Sequence, residues 1–298
     1  MRYFKELSNR NRIVSEQTCN AVVNLQDTSC YVIKFVISGS EKCIVNSRAM
    51  SIFPDSFTVI NAGTDYCSLI DSISPVHTLT LYLDTKFVAD FNRCFSLDHE
   101  DLLAHTESKD KPQFVETLYP LVGNLNYNIA HLKKQISNGI EDEMLINEYL
   151  HHCLIGYYQI YTQEIDNKYQ RLSFLKTKTK KEIFRRLLLA KEYLHSNSDK
   201  EVKLEDLAKY CCLSTNHLLR TFKEAFGKSP WQYLIQLRLD RAKSFLRTTD
   251  YPLSEIICLV GFESLSSFVR LFKTSVGITP FKYKKLNAIK NNFFELRH

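Results

Sequence analysis

The spacing of apolar residues in the second half of the chain is helical, and the pattern occurs twice. LEDLAKYCCLSTNHLLRTFKEAFGKSPWQY begins at residue 204, and LSEIICLVGFESLSSFVRLFKTSVGITPFKY begins at residue 253. Matching residues are 49 positions apart in the first part of each copy and 50 apart in the second. Each copy has apolar positions at helical spacing on both sides of a short break, which predicts a helix, a turn and a helix. The added residue is expected in the turn.

Capping residues mark the predicted helix ends. Ser214 precedes the second helix of the first copy, where an N-cap is expected. Gly227 and Gly277 end the second helices, because glycine takes the left-handed conformation of a C-cap. Pro230 and Pro280 can open the next helix. The first helix of the second copy is predicted to bury Ile256, Leu259 and Val260. This plan is typical of the helix-turn-helix, whose second helix enters the DNA major groove.

The first half of the chain has a pattern of period two. Apolar and more polar residues alternate over residues 31–37, and Gly39 and Ser40 then mark a turn. Further β-like runs, separated by turn residues, lie at 42–45, 49–53, 57–60 and 77–83. Many short, evenly spaced strands predict a small sandwich or barrel.

Three helical regions are predicted between these strands and the repeat. They lie at 85–95, at 114–132 with an interruption at Pro120, and at 141–165. The last has an apolar stripe at spacings of three and four, formed by Leu150, Leu154, Tyr157, Tyr161 and Ile165. We interpret this stripe as core, and the alternative is a dimer seam.

A basic stretch without apolar periodicity, residues 166–181, is predicted to be a linker. It separates a first domain at 1–165 from a second at 182–298, in which the helix-turn-helix units lie near 204–227 and 253–277. The predicted fold class is α+β with two domains, the second all-α.

The charge of the chain changes along its length. Residues 1–173 contain 15 Lys and Arg against 21 Asp and Glu, whereas residues 174–298 contain 24 against 12. An acidic half joined to a basic half is expected when only the second half meets a polyanion such as DNA.

Composition argues against several classes of protein. The N-terminal residues lack the apolar core of a signal peptide, and no apolar run approaches the roughly 18 residues of a membrane span. Nine cysteines without a C-x-x-C pair argue against a disulfide framework or a zinc cluster, and favour the reducing cytoplasm. Cys211 and Cys212 could form a redox switch, but buried packing is the favoured interpretation.

Catalysis and metal binding are not expected in the first domain. A metal site in a β-barrel needs several His and Glu ligands on facing strands. Residues 31–83 contain one histidine, His77, and no His-x-His. We therefore expect no metal, no cofactor and no enzyme activity.

Several stretches together identify a family. LEDLA at 204–208, RLDRAKSFLRTTDYPLSEI at 238–256 and GFESLSSFVRLFKTSVGITPFKY at 261–283 resemble the paired helix-turn-helix domain of the AraC/XylS transcription regulators. The resemblance covers about 100 residues. Ile257 departs from the pattern, because the family usually has alanine there. In the first domain, VIKFVISGS and IFPDSFTVINAG resemble the cupin-like sensor domain of many members, which implies an N-terminal cupin-like β-barrel with accessory helices.

The resemblance implies which residues contact DNA. The outer faces of the two second helices, which we call the reading helices, carry the candidate residues Asn216, His217, Leu219, Arg220, Lys223, Leu265, Ser266, Ser267, Val269, Arg270 and Lys273. Arginine can bind guanine in a bidentate fashion, and the apolar members can touch thymine methyl groups. The lysines, together with Lys282, Lys284 and Lys285, are expected at phosphates.

The predicted function is that of a cytoplasmic bacterial transcription activator with sequence-specific DNA binding. Its expected partners are double-stranded promoter DNA, RNA polymerase, a second copy in a homodimer, and an effector that is a small molecule or a protein. One alternative is a DNA-binding domain fused to an enzymatic or repair module. Another is a general architectural DNA binder.

Overall fold

The computed structural model of the chain describes residues 2–25, 29–96, 112–174 and 176–295. The chain divides into two compact units, Met1–Lys168 and Tyr169–His298. In its described part, the first unit combines a β-sheet with helices, whereas the second is helical. The α+β class with a helical C-terminal domain, predicted from the sequence, is therefore confirmed.

The strands of the first unit form an antiparallel sheet. They are β1 (Arg2–Glu6), β2 (Arg12–Leu25), β3 (Tyr31–Ser38), β4 (Glu41–Val45), β5 (Arg48–Ile52), β6 (Ser56–Ile60), β7 (Tyr66–Leu83) and β8 (Leu118–Pro120). The pairing order among the described residues is β1-β2-β7-β3-β6-β8, with β4 beside β5 and β7. Because β1 and β8 end this order, the sheet is open there, and the closed barrel predicted from the sequence is not confirmed.

The long strand β7 joins two parts of the sheet. Its first part pairs with β4 and its second part with β3, while β2 runs alongside both. The pairing with β2 shifts register between Thr18 and Asn20. Residues from both parts, including Val32, Met50 and Ile70, pack into one buried cluster. The core of the unit therefore lies between the two parts of a folded sheet.

In the described part of the first unit, three helices accompany the sheet. They are α1 (Thr85–Ser96), α2 (Gly123–Ser137) and α3 (Glu143–Tyr161), and α3 is followed by a π-helical turn, Thr162–Asp166, and a short turn, Asn167–Gln170. The helix predicted over 114–132 is wrong in its first part, where β8 pairs with β6. A short apolar run does not distinguish a strand from a helix, and Pro120 is tolerated at the edge of a sheet.

The apolar stripe of α3 lies in the core of the first unit. Leu150, Leu154, Tyr157 and Ile165 are all buried. The Tyr157 ring meets the rings of Phe114 and Tyr119 edge-on, with centroids 5.0 and 5.4 Å apart. The interpretation as core is confirmed for these four residues, whereas Tyr161, the fifth member of the predicted stripe, is half-buried.

The second unit repeats a three-helix arrangement. Its helices are α4 (Thr177–Ser196), α5 (Leu204–Tyr210), α6 (Thr215–Phe226), α7 (Pro230–Thr248), α8 (Leu253–Val260), α9 (Leu265–Val276) and α10 (Pro280–Glu295). Ile256, Ile257 and Val260 of α8 are buried against Phe268 and Phe272 of α9. In the described part of the chain, no helix is long and apolar enough to span a membrane.

The expected inner face of α8 needs one correction. Leu259 is exposed and Ile257 is buried in its place. The second copy thus accommodates the larger side chain at the position where the family usually has alanine. A short helix has few apolar positions, and a small rotation about its axis exchanges one of them for a neighbour. Apolar spacing alone therefore does not define which residues of α8 are buried.

A buried ion pair joins β3 to β4. Lys34 and Glu41 are 4% and 2% exposed, and Lys34 Nζ lies 2.8 Å from Glu41 Oε1. Burial acts to lower the pKa of Lys34, but Glu41, Cys43 and Tyr82 together outweigh this effect and the pKa is raised. Lys34 Nζ also lies 5.4 Å from the centre of the Tyr66 ring.

Lys34→Met should destabilise the first unit by about 3–5 kcal/mol, because it leaves the Glu41 carboxylate buried without its partner. The double variant Lys34→Met, Glu41→Met should recover much of this loss. Hydrogen exchange of β3 and β4 in increasing urea measures both effects. Lys42→Met, at an exposed position of β4, is the control and should change stability by less than about 0.5 kcal/mol. Equal losses in the single and double variants would contradict the expectation.

Candidate nucleic-acid interface

The two helix-turn-helix copies have the same hydrogen bond across their turns. The Leu213 N–H donates to the Ala208 carbonyl, and the Phe262 N–H donates to the Ile257 carbonyl, both at 3.0 Å. The two donors are 49 residues apart in sequence, and so are the two acceptors. The N-cap serines that follow, Ser214 and Ser264, are 50 residues apart. Glu263 is therefore the added residue, and it lies in the turn as the sequence predicts.

The turns differ at one position. Cys212 and Gly261 both have left-handed backbone, with φ of 53° and 82°. A Cβ atom on Gly261 would lie 2.5 Å from the Ser198 carbonyl oxygen, which is too close for any side chain.

The neighbouring Cys211 is buried, and burial raises the pKa of its thiol to about 12. This thiol packs as an apolar group, as predicted, whereas Cys212 is exposed, so buried packing is wrong for the second cysteine.

Both reading helices, α6 and α9, are capped, at Ser214, Gly227 and Gly277 as predicted and also at Ser264. Ser214 and Ser264 each accept a hydrogen bond from the backbone N–H three residues later, at 3.3 Å. Gly227 and Gly277 end the helices with φ of 72° and 83°. The same chemistry therefore fixes the start and the end of each reading helix.

A buried phenylalanine anchors each reading helix. Phe222 and Phe272 are fully buried. Their rings meet those of Tyr233 and Tyr283 edge-on, with centroids 5.7 and 5.5 Å apart. Since each tyrosine lies on the following helix, each reading helix is clamped against α7 or α10.

The predicted DNA-contact residues fall into two groups. Eight are exposed, namely Asn216, Leu219, Arg220, Lys223, Leu265, Ser266, Arg270 and Lys273. Three are half-buried, namely His217, Ser267 and Val269. Val269 packs against the core around Phe268 and Phe272 and presents little surface. The exposed residues form the outer faces of α6 and α9, and we call these the reading faces.

One predicted phosphate contact is already engaged. Lys284 Nζ donates to the Tyr251 carbonyl at 2.8 Å, so it ties α10 to the segment before α8. Lys282 and Lys285 are exposed on the same helix. All three lysines were predicted at phosphates, because carbonyl contacts between distant segments have no local pattern.

Two buried arginines of α7 hold the loop that follows α4. Arg238 Nε and Nη2 donate to the carbonyls of Ser198 and Lys200, at 2.7 and 2.5 Å. Arg241 Nη1 donates to the His195 carbonyl at 3.4 Å and to the Ser198 hydroxyl. We call this set of contacts the arginine joint.

The arginine joint fixes the two helix-turn-helix copies relative to each other. The loop it holds follows α4, which packs against α5 and α6 of the first copy. The same loop lies against Gly261 in the turn of the second copy. Charged donors satisfy the loop carbonyls, which would otherwise be costly to bury. The sequence reading missed these arginines as structural residues, since a basic residue on a predicted helix looks like a DNA contact.

The segment before α4 packs along the first reading helix. Ser173 donates from its N–H and its hydroxyl to Glu224 Oε1, at 2.6 and 2.5 Å. These hydrogen bonds, with the nearby Arg220 charge, lower the pKa of Glu224. The Phe174 ring lies 6.3 Å from that of His217. This packing accounts for the partial burial of His217.

A groove runs between α7 and α9. Its volume is about 610 Å³, and Trp231 stands at its edge with 58% of its surface exposed. Sequence reasoning did not single out Trp231, because one aromatic residue near a helix start is not a pattern. Among the described residues, no group of three or more His, Cys, Asp or Glu could hold a metal ion.

Comparisons with known proteins agree with this architecture. The family model "Helix-turn-helix domain" matches residues 207–286. The chain is 31% identical over 105 residues to the bifunctional transcriptional activator and DNA repair enzyme AdaA of Bacillus subtilis, covering 35% of this chain and 50% of AdaA. It is 26% identical over 178 residues to the probable transcriptional regulator LumQ of Photobacterium leiognathi, covering 59% and 65%.

A solved structure is similar to the second unit. It is a transcriptional regulator with an AraC-type DNA-binding domain from Chromobacterium violaceum, 28% identical, with a TM-score of 0.34, covering 36% of this chain and 95% of that one. The chain matches less than two thirds of the length of AdaA and LumQ. The resemblance of the C-terminal stretch to the AraC-type domain is confirmed by the sequence matches.

Arg238→Met should lower the free energy of unfolding of the second unit by about 1.5–3 kcal/mol, because two buried carbonyls lose a charged donor. Urea unfolding of the full chain can be followed by the emission of Trp231, its one tryptophan. Arg247→Met removes an exposed arginine from the same helix and serves as the matched control. If both variants unfold at the wild-type urea concentration, the arginine joint contributes no stability.

Proposed function

We propose that this chain, whose C-terminal unit carries a helix-turn-helix domain of the AraC type, is a transcription regulator that binds two successive major-groove segments of promoter DNA. It acts as an activator, and its first unit receives the controlling signal. The proposal extends to the whole chain what the sequence matches support for residues 207–286.

The observation that carries the proposal is the equivalence of the two reading helices. Each begins at a capping serine, ends at a left-handed glycine and presents an exposed arginine, Arg220 or Arg270, six residues after the cap. One rigid connection, α7 with the arginine joint, links them. A single chain can therefore present two reading faces at a fixed separation.

The length of α7 suits neighbouring major grooves. Its 19 residues span about 28 Å at 1.5 Å per residue. The turns at its ends add to this length, and successive major-groove segments on one face of DNA are roughly 34 Å apart. The two copies thus match one turn of DNA.

The reading faces contain two kinds of contact. We assign base reading to Arg220 and Arg270, which can bind guanine edges, and methyl contacts to Leu219 and Leu265. Asn216, His217, Ser266, Ser267 and Val269 complete the proposed base-reading set. Lys223 and Lys273, one turn further along each helix, suit phosphates, which supply affinity without sequence preference.

The first unit is proposed to be a sensor of the cupin-like kind, although its sheet is open. Its acidic balance keeps it away from DNA, which agrees with a role in receiving an effector, either a small molecule or a protein. We also propose that the protein is cytoplasmic, is not an enzyme, contacts RNA polymerase and pairs as a homodimer. The exposed side of α2, where Tyr127 is 67% exposed, is available for pairing because the α3 stripe is buried.

An architectural DNA binder is the second candidate, since exposed lysines alone would give sequence-independent affinity. Competition between promoter DNA and random DNA of equal length separates the two functions. A regulator should prefer the promoter, whereas an architectural protein should bind both equally. The repair activity in the name of AdaA is not proposed for this chain.

Binding to promoter DNA should weaken steeply with salt. Neutralising about six phosphates gives a log–log slope of affinity against salt near −5. Fluorescence anisotropy with labelled DNA at several salt concentrations measures this slope for the full chain and for a fragment of residues 174–298. The fragment contains the net positive charge and both copies, so it should have a similar slope. A fragment that folds but does not bind would contradict the assignment of DNA binding to the second unit.

Replacing Arg220 or Arg270 with alanine should cost roughly 1–3 kcal/mol in binding and relax sequence preference at one base position. The two affected positions should lie about 10 base pairs apart. Selection of binding sites from a random pool by wild type and each variant shows the positions. The exposed Arg247→Ala is a control that should leave the selected sequence unchanged. If Arg270→Ala weakens all sequences equally, Arg270 contacts phosphate and α9 acts as a clamp.

A further inference from the structure

The duplication in the second unit extends beyond the helix-turn-helix copies. AKEYL at 190–194 in α4 corresponds to AKSFL at 242–246 in α7, 52 residues later. Ala190 and Ala242 are both fully buried, and Leu194 and Leu246 are both buried. Shared burial supports this register. The groove between α4 and α6 in the first copy is therefore the counterpart of the groove between α7 and α9 in the second.

The groove of the first copy is filled by the chain itself. On the α4 side, Lys180 Nζ donates to the Gln170 carbonyl at 3.4 Å, and the Phe184 ring meets that of Tyr169 at 5.6 Å. Leu172, in the same segment, is only 2% exposed.

On the α6 side, the same segment is held at its other end. Glu224 accepts both hydrogen bonds of Ser173, and His217 meets the Phe174 ring. A Leu-x-Phe segment therefore lies in this groove, with its backbone held from both helices.

The groove of the second copy is open at all four corresponding positions. Lys180 and Phe184 correspond to Gln232 and Gln236, at the offset of 52, and both glutamines line the open groove. At the offset of 50, His217 and Glu224 correspond to two further lining residues, Ser267 and Thr274. Buried or half-buried apolar side chains, Ile235, Leu239, Phe262 and Leu271, also line it.

Chain connectivity explains why only one groove is filled. Several residues precede α4 and fold back along it. In contrast, α6 ends at Phe226 and α7 begins at Pro230, which leaves three residues between them. Three residues span at most about 11 Å, so this connection cannot enter the groove. An occupant must come from elsewhere.

The residues that differ indicate the chemistry of the occupant. Gln232 keeps a donor where Lys180 binds a peptide carbonyl. Thr274 replaces Glu224 and donates its own hydroxyl to the Arg270 carbonyl at 2.9 Å, so the second copy has no carboxylate there. Arg270 lines the groove one turn earlier in the helix. An acidic residue of the occupant would restore the charge arrangement that Arg220 and Glu224 have in the first copy.

We infer that the groove between α7 and α9 binds an extended segment of another protein with the pattern leucine, acidic residue, phenylalanine. The leucine packs on the apolar residues of the groove, the acidic residue pairs with Arg270, and the phenylalanine lies beside Ser267. Arg220 stays exposed although the groove beside it in the first copy is filled. We therefore expect Arg270 to stay at the reading face when the groove of the second copy is occupied. The site would connect the DNA-reading unit to a protein partner.

Peptide titration of the full chain without DNA tests this inference, and its result does not depend on DNA binding. Trp231 is the one tryptophan of the chain and stands in the groove, so its emission reports occupancy directly. The probes are YQRLSFLK, which copies residues 169–176, the variants YQRLEFLK and YQRLKFLK, and a scrambled YQRLEFLK. The Glu peptide should bind about two- to fivefold more tightly than the Ser peptide, and the Lys peptide more weakly, as exposed ion pairs allow.

Thr274→Glu should reverse this order, because it supplies the carboxylate that the second copy lacks. The Glu peptide should bind this variant more weakly than it binds the wild-type chain. The Ser peptide should bind the variant more tightly than it binds the wild-type chain. Thr248→Glu adds the same charge at an exposed position of α7 outside the groove, and should preserve the wild-type order. The inference is overturned if no peptide changes Trp231 emission in a saturable way, if the scrambled peptide binds equally well, or if Thr274→Glu leaves the order unchanged.

Discussion

The arginine joint is the interaction on which the second unit depends. Arg238 and Arg241 are buried charges, and carbonyls and a hydroxyl at the end of α4 and in the loop after it accept their hydrogen bonds, which offsets the cost of burial. Those acceptors lie next to α4, which packs against the first copy, while the turn of the second copy lies against the same loop. The two reading faces therefore cannot move apart without leaving charged donors buried and unsatisfied. A fixed separation of the reading faces follows from local chemistry and does not require the DNA.

Local patterns predicted the second unit well and the first unit less well. The caps at Ser214 and Gly227, and the added residue in the second turn, follow from chemistry that involves neighbours in sequence. The strands β1 and β2 and the short β8 were missed, because strand pairing joins residues far apart in the chain. Contacts of that kind also decide which basic residues are structural. Arg238 and Lys284 resemble DNA contacts in sequence, yet both donate to backbone carbonyls of distant segments.

The two units stabilise their buried charged side chains in different ways. In the first unit, Lys34 of β3 and Glu41 of β4 form a buried ion pair, so each charge neutralises the other. In the second unit, Arg238 donates to two neutral loop carbonyls, and the nearby carboxylates of Asp199 and Glu263 partly offset the effect of burial on its pKa. Loss of one member has a different result in each case. In the sheet it leaves the opposite charge buried, whereas loss of Arg238 leaves two loop carbonyls without their charged donor.

The turns of the two copies have different freedom to change during evolution. Both require left-handed backbone, but the second turn has a further constraint. A Cβ atom added to Gly261 would lie 2.5 Å from the Ser198 carbonyl oxygen. Any side chain there would push the loop out of the arginine joint. Cys212 shows that the first turn accepts a side chain at the cost of some backbone strain. After a gene duplication, substitutions could therefore accumulate in the first turn, while the second remained restricted to glycine by a neighbour 63 residues away in sequence.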